Sequence, residues 1–258
     1  MMKLIITPTL LLLLPLIAFI FTITEASTIE HNNTGSVLTI DPAKLSFKFA
    51  VSWPQGFCKI NTCWHPPGKP LVLPKFFTIH GLWPKYNGQC TDSHQKYDFK
   101  LLHRIYGNLK TYWPNIKSSL RPEKFWGDEW KKHGITCDIF GVEEYFAAAL
   151  DLYQRVQTGL NQLKDQPWKN TADSIRNLNA FQGKKPFVLC KEVGVGAGKK
   201  NYLEELRFCA NGYKQLINCE PQSLQDQYCS EPFKYSGAFL ESSLGMVDQE
   251  EFVGGVVA

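Results

Sequence analysis

Methionine is scarce in this 258-residue chain, with three residues against eight cysteines. No two cysteines form the close C-x-x-C pair that a structural zinc site would want. Both facts point away from a reducing cytosol and toward disulfides. Histidine is sparse too, at six residues, and none stands in the H-E-x-x-H pattern of a zinc protease. There is no internal repeat and no long linker, so a single domain over residues 27–236 is the simplest organisation. Charge bias is weak: 28 Lys and Arg against 24 Asp and Glu give net +4, which permits a polyanionic partner without requiring one. With 44% hydrophobic, 13% aromatic and 20% charged residues, disorder, a collagen helix and a coiled coil are all excluded.

The two ends differ from the body. Met1-Met2-Lys3, the apolar run Leu10 to Ile23 and the close at Thr24-Glu25-Ala26 read as an export signal over residues 1–26. Pro8 and Pro15 interrupt the run and disfavour a membrane anchor, and no later segment is apolar enough to span a bilayer. The mature protein is therefore expected to be soluble and to have crossed an oxidising compartment. Asn32-Asn33-Thr34 is an N-x-[ST] sequon, making Asn32 a glycosylation candidate. Residues 237–258 carry Glu241, Asp248, Glu250 and Glu251, no Lys or Arg, and a small apolar finish. This tail reads either as a frayed terminus or as a removable sorting or masking peptide.

Between the ends, two periodicities alternate. Leu45, Phe47, Phe49, Val51 and Trp53 face one way and Ser46, Lys48 and Ser52 the other, which predicts a half-buried strand. Phe76–Ile79 and Phe187–Cys190 read as buried strands, and Leu206–Ala210 alternates again. Helical spacing runs from Asp98 to Tyr112 through Leu101, Leu102, Ile105, Tyr106 and Leu109. It recurs from Val142 to Val156, and Thr171 is a plausible N-cap for a short helix through Phe181. The order predicts an α+β fold, an antiparallel sheet with helices packed on it. Behind an export signal, an even set of cysteines implies four disulfides, with 105 formal pairings.

Two stretches carry chemistry. In Phe125–Cys137, FWGDEWKKHGITC, a helix would set Glu129 and His133 at i and i+4 with Lys132 adjoining. Trp126 and Trp130 would anchor that helix and Gly134 would end it. A carboxylate, an ammonium and an imidazole on one patch suit a phosphate; a surface helix with one chance salt bridge is the bland alternative. In Lys75–Pro84, KFFTIHGLWP, a buried strand runs into His80 before a glycine turn, a position that projects the imidazole into a cleft. Imidazole is the side chain whose pKa suits both acid and base near neutrality. A decoy lies at Gly194–Lys200, where Val193 and Lys200 break the phosphate-loop register twice; a flexible basic loop is the reading there.

The two stretches resemble the paired active-site segments of the ribonuclease T2 family, in particular its plant secreted members. Ile79–Pro84 is I-H-G-L-W-P unchanged, and Phe125–Gly134 follows F-W-x-x-E-W-x-K-H-G with Cys137 three residues further on; the resemblance extends over roughly residues 44–230. It implies a secreted endoribonuclease that cleaves single-stranded RNA without metal or organic cofactor. His133 would take the 2′-hydroxyl proton, His80 would protonate the departing 5′-oxygen, and Glu129 and Lys132 would support the transition state. Trp83 resembles the tryptophan lining the phosphate site. The implied products are a 2′,3′-cyclic phosphate and a 5′-hydroxyl. The family's disulfides would be Cys58–Cys63, Cys90–Cys137, Cys190–Cys229 and Cys209–Cys219. Asn115-Ile116 resembles a base-pocket segment, and Phe125 either stacks on a base or fills the core.

Two departures stand out. Asp128 occupies the position where many members carry a third histidine, and a carboxylate facing inward there would repel phosphate. Lys48 stands where relatives often place a glutamine near the base site, which touches nucleotide preference. The rival reading is a weakly active or inactive member serving as a storage or recognition protein. Within the enzyme reading, basic charge and the missing histidine lean toward pollen rejection, whereas the acidic tail leans toward vacuolar or stress-related scavenging. A monomer is expected, outside the cell or in the vacuole, and a pollen-rejecting enzyme would also meet a protein inhibitor or recognition partner.

Overall fold

The computed structural model describes residues 40–119, 121–164, 175–194, 199–219 and Cys229. The export signal, Asn32, Thr171, the middle of the glycine-rich loop at 195–198 and the C-terminal tail lie outside the described residues. The fold is α+β, as expected. Strands β1 (Leu45–Ser52), β2 (Thr78–Tyr86), β3 (Phe187–Val193), β4 (Lys200–Asn211) and β5 (Leu216–Ile217) make one antiparallel sheet. Its order is β2-β1-β4-β3, with β5 paired to β4. Helices α1 (Pro54–Ile60), α2 (Tyr106–Tyr112), α3 (Pro122–Glu129) and α4 (Val142–Lys164) complete it.

The period of two in β1 holds in its first half; beyond Lys48 both faces are covered, and Ser52, expected on the open face, is buried. Leu45, Phe47, Phe49 and Val51 are buried in the core, and Ser46 and Lys48 on the other face are half-exposed. On β4 the same alternation buries Leu206, Phe208 and Ala210. The long helix α4 closes the core face with Tyr145, Phe146, Leu152, Tyr153 and Val156, and extends past the expected end to Lys164. Its tyrosines have polar tips that need partners when buried. Tyr145 donates to the Leu82 carbonyl at 2.7 Å and Tyr153 to that of Phe77, also at 2.7 Å. Both bonds fasten α4 to β2 and its approach, so the helix fixes where β2 runs.

Three expectations are corrected. The helix over Asp98–Tyr112 is broken: a tight 3₁₀ turn at Phe99–Leu102 precedes α2. Asp98 caps that turn by accepting from the Lys100 amide at 2.9 Å, which favours a short tight start over a continuous helix. Leu102 and Leu109 are buried, but Leu101 is 41% exposed. The helix expected through Phe181 does not run unbroken: Ile175 and Arg176 are helical, and a separate 3₁₀ turn, Asn179–Phe181, follows, ended by Gln182 and Gly183 at φ 55° and 69°. Third, the strand expected over Phe76–Ile79 begins at Thr78 and continues to Tyr86, so His80 does not sit at a strand exit and Gly81 makes no turn.

All four disulfides implied by the resemblance are present. Cys90–Cys137 closes the longest interval, 47 residues, and joins the segment after β2 to the chain just beyond α3. Asp92 supports that junction by accepting from the Cys137 amide at 2.9 Å.

Candidate active site

His80 reaches the cleft by a bulge. Gly81 pairs with Ala50 and Ile79 with Val51, so His80 is the extra residue on β2. A bulge bends its strand and re-aims the side chain it carries. The backbone at this point is held from behind, because the buried Trp113 indole donates to the His80 carbonyl at 3.0 Å. Trp126 in turn donates to the Trp113 carbonyl at 2.9 Å, linking α3 to the same support.

The second histidine comes from a change of helix type. Helix α3 ends at Glu129 and the chain continues as a π turn, Trp130–Gly134, with the Ile135 amide reaching back to the Trp130 carbonyl at 3.2 Å. π turns widen the winding and are common at functional sites. Lys132 and His133 lie on this turn. Gly134 is required by packing: a Cβ there would stand 2.1 Å from the Trp130 ring. The expected single helix with Glu129 and His133 at i and i+4 is therefore an α-helix joined to a π turn.

Trp83 stands between the two imidazoles. Its ring centroid is 5.4 Å from that of His80, edge-on at 85°, and 5.7 Å from that of His133 at 47°. His80 Nδ1 lies 3.0 Å from Glu205 Oε1, and Glu205 Oε2 accepts from Arg207 at 3.1 Å. Burial alone would lower the pKa of His80, but the hydrogen bond and charge of Glu205, aided by Glu129, outweigh it and raise the pKa. For His133 the shift is downward, from burial and then from the positive charge of Lys132 and His80. The buried Glu129 carboxyl is pushed up by desolvation, against the pull of His80, Lys132 and the Trp83 indole.

Gly81 has a role the sequence did not show. A Cβ at this position would come within 2.6 Å of Trp83 Nε1 and 2.8 Å of Glu129 Oε2. Bare backbone is what lets the indole and the carboxylate close over the strand. Gly81→Ala is expected to fold, with a stability loss of about 1–3 kcal/mol from overpacking, and to lose about tenfold in kcat/KM through displacement of Trp83 and Glu129. Wild-type kcat/KM in a folded variant would show that the close approach is unimportant.

A cleft of about 350 Å³ adjoins His80 and is lined by Ser52, Phe57, Asn115, Ile116 and Phe125 among others. All three expected base-pocket residues therefore come together beside one histidine. Phe125 packs against the core and also lines the cleft. Lys48 is elsewhere: it lines a separate pocket with Trp83 and Lys85, and β1 supplies Ser52 to the cleft in its place. Asp128 pairs with Lys124 at 3.0 Å and lines a groove with Tyr97 and Lys131. It is not among the residues lining the cleft beside His80. Glu205 and Arg207 went unread in the sequence; their signal was two opposite charges, two apart, in the alternating strand Leu203–Phe208. Among the described residues no group of three or more His, Cys, Asp or Glu is gathered to hold a metal ion, and no helix is long and apolar enough to cross a membrane.

Two imidazoles packed against one indole, His80 biased toward its charged form and His133 toward its neutral form, suit paired acid and base work. The sequence profile of the Ribonuclease T2 family matches residues 45–219. The chain is 34% identical over 187 residues to Intracellular ribonuclease LX of Solanum lycopersicum, covering 67% of this chain and 76% of that one. It is 28% identical over 189 residues to Extracellular ribonuclease LE of the same species, with 67% and 79% covered. Among solved structures, RNase NT in complex with 5′-AMP aligns with a TM-score of 0.58 at 26% identity, over 74% of this chain and 97% of that one.

Proposed function

Because the chain belongs to the ribonuclease T2 family, we propose that this T2-type endoribonuclease cleaves single-stranded RNA by transesterification at His80 and His133. His133 takes the proton of the ribose 2′-hydroxyl as that oxygen bonds to phosphorus. The bond from phosphorus to the 5′-oxygen breaks, and His80 supplies the proton that oxygen needs. The products are a 2′,3′-cyclic phosphate and a 5′-hydroxyl, and the two histidines end with their protonation exchanged. Lys132 and the Glu129 carboxylate stand beside this path, where fixed charge acts on charge that develops in the transition state.

The assignment of roles is supported by the surroundings of the two imidazoles, Glu205 at 3.0 Å from His80 Nδ1 and Lys132 next to His133 on the π turn, which bias the rings in opposite directions. A base must be neutral and an acid protonated at the same pH. His133, lowered by burial and neighbouring cations, is the base, and His80, raised by Glu205, is the acid. The cleft beside His80 then takes the base of the departing nucleotide, with Phe125 as the stacking surface.

The rival reading, a storage or recognition protein, rests on Asp128 alone, and the pairing of Asp128 with Lys124 weighs against it. Export is supported by the N-terminal segment and by the similarity to an extracellular relative. Pollen rejection and vacuolar scavenging use this same reaction, and tissue expression separates them. The decisive experiment incubates oxidised protein, residues 27–258, with a short single-stranded RNA in EDTA and reads product ends by mass. Cyclic-phosphate ends are expected; no cleavage by folded protein across pH 4–8 sinks the reading.

A further inference from the structure

We propose that Glu205 and Arg207 form a positioning clamp, in which one buried carboxylate fixes His80 by Nδ1 while the paired guanidinium backs Trp83. The inference rests on His80 acting as the acid in the reaction above. Three contacts make the chain continuous. Glu205 Oε1 is 3.0 Å from His80 Nδ1, Arg207 donates to Glu205 Oε2 at 3.1 Å, and the Arg207 guanidinium lies 5.1 Å from the Trp83 ring centre. Trp83 in turn meets His80 edge-on, which closes a ring of four side chains across β2 and β4.

The strand register explains how they meet. Glu205 pairs with Ser52 and Arg207 with Ala50, while Ala50 faces Gly81 on the far side of β1. Small residues on β1 leave the sheet face open, so side chains from β4 reach over it to those of β2. Glu205 is 4% exposed. A carboxylate that deeply buried is costly unless paired and hydrogen-bonded, and both of its oxygens are spent on this clamp. His80 keeps 39% of its side chain exposed, so the anchored end of the imidazole is Nδ1 and the open end is Nε2.

An acid held by one nitrogen presents the other in a single tautomer and orientation. Glu205 also adds a negative charge beside the ring. The other charged groups facing His80 are Arg207 from β4, Glu129 from α3 and His133 from the π turn, so the net field depends on Glu205 more than on any other partner. The contact of Arg207 with the indole is a cation–π approach, which gives Trp83 a fixed backing. Neither residue is placed on the reacting atoms; both act through His80 and Trp83.

The test uses Glu205→Gln and Arg207→Leu, with pH–rate profiles and an ¹⁵N-resolved spectrum of the histidine rings. Glu205→Gln is expected to lower kcat about 10–30-fold with KM within about twofold, a loss typical of a displaced acid. The alkaline limb, set by His80, moves to lower pH, while the acid limb, set by His133, stays. Arg207→Leu raises KM several-fold through the loosened Trp83. In the wild-type protein the His80 Nδ1 proton is hydrogen-bonded and protected. That spectrum needs neither variant to fold and no turnover, so an inactive wild type showing the protected proton would count against the reaction and for the clamp. A freely exchanging Nδ1 proton, or an unmoved alkaline limb in folded Glu205→Gln, overturns the clamp.

Discussion

His133→Ala lowers kcat by about 10²–10⁴ on single-stranded RNA, the usual contribution of a positioned acid or base, and His80→Ala does the same. The two losses separate when the leaving group changes. A uridine 3′-phosphodiester of 4-nitrophenol departs without needing a proton, so His80→Ala recovers most of its rate on that substrate. His133→Ala stays slow, because the 2′-hydroxyl must still be deprotonated. The double variant is no slower than the worse single variant by more than a small factor, since residues acting as a unit are not additive. The same assignment fixes the pH profile. With His133 lowered and His80 raised, the rising limb reports His133 losing its proton, the falling limb reports His80 losing its own, and the rate peaks between the two. Recovery of His133→Ala on the activated ester, with His80→Ala still slow, would reverse the roles.

Much of the site was legible in two short stretches, and the reason is physical. His80 with Trp83, and Glu129 with Lys132 and His133, are each local in sequence, so short spacing was enough to group them. The strand period of β1 was equally readable, because alternation reports burial directly. What was hidden depended on pairing across the sheet. The bulge at His80 exists only as a register shift against Ala50 and Val51, and no residue in FTIHGLWP announces it. Glu205 lies 125 residues from the histidine it holds, so spacing carried no hint of it. The helix over Asp98–Tyr112 misled because Leu101, at helical spacing, is a surface leucine. Sequence alone leaves open which way Asp128 faces, and its pair with Lys124 is visible only in the fold.

Glu129→Gln is expected to raise stability and destroy activity together. In the folded protein burial raises the Glu129 carboxyl above its ordinary pKa, despite the opposing pull of His80, Lys132 and Trp83, with Asp128 adding a small push upward. The unfolded chain therefore releases this proton at lower pH than the folded one. Folding stability contributed by the group is full below the ordinary carboxylate range and is lost as pH rises through the raised value. At neutral pH the native carboxylate is thus a burden that glutamine, equal in shape and uncharged, removes. A Tm rise of about 2–4 °C at pH 7 corresponds to roughly 1 kcal/mol for a chain of this size, and the gain shrinks toward pH 4, where wild type also carries the proton. The activity moves the other way, falling about 10²–10³-fold, because the charge that opposes burial is the charge beside Lys132 and His80. Such a trade is expected where a site is built for function rather than stability. Glu129→Gln with a lower Tm at pH 7, or with wild-type turnover, would show that this carboxylate is a packing element and no part of the chemistry.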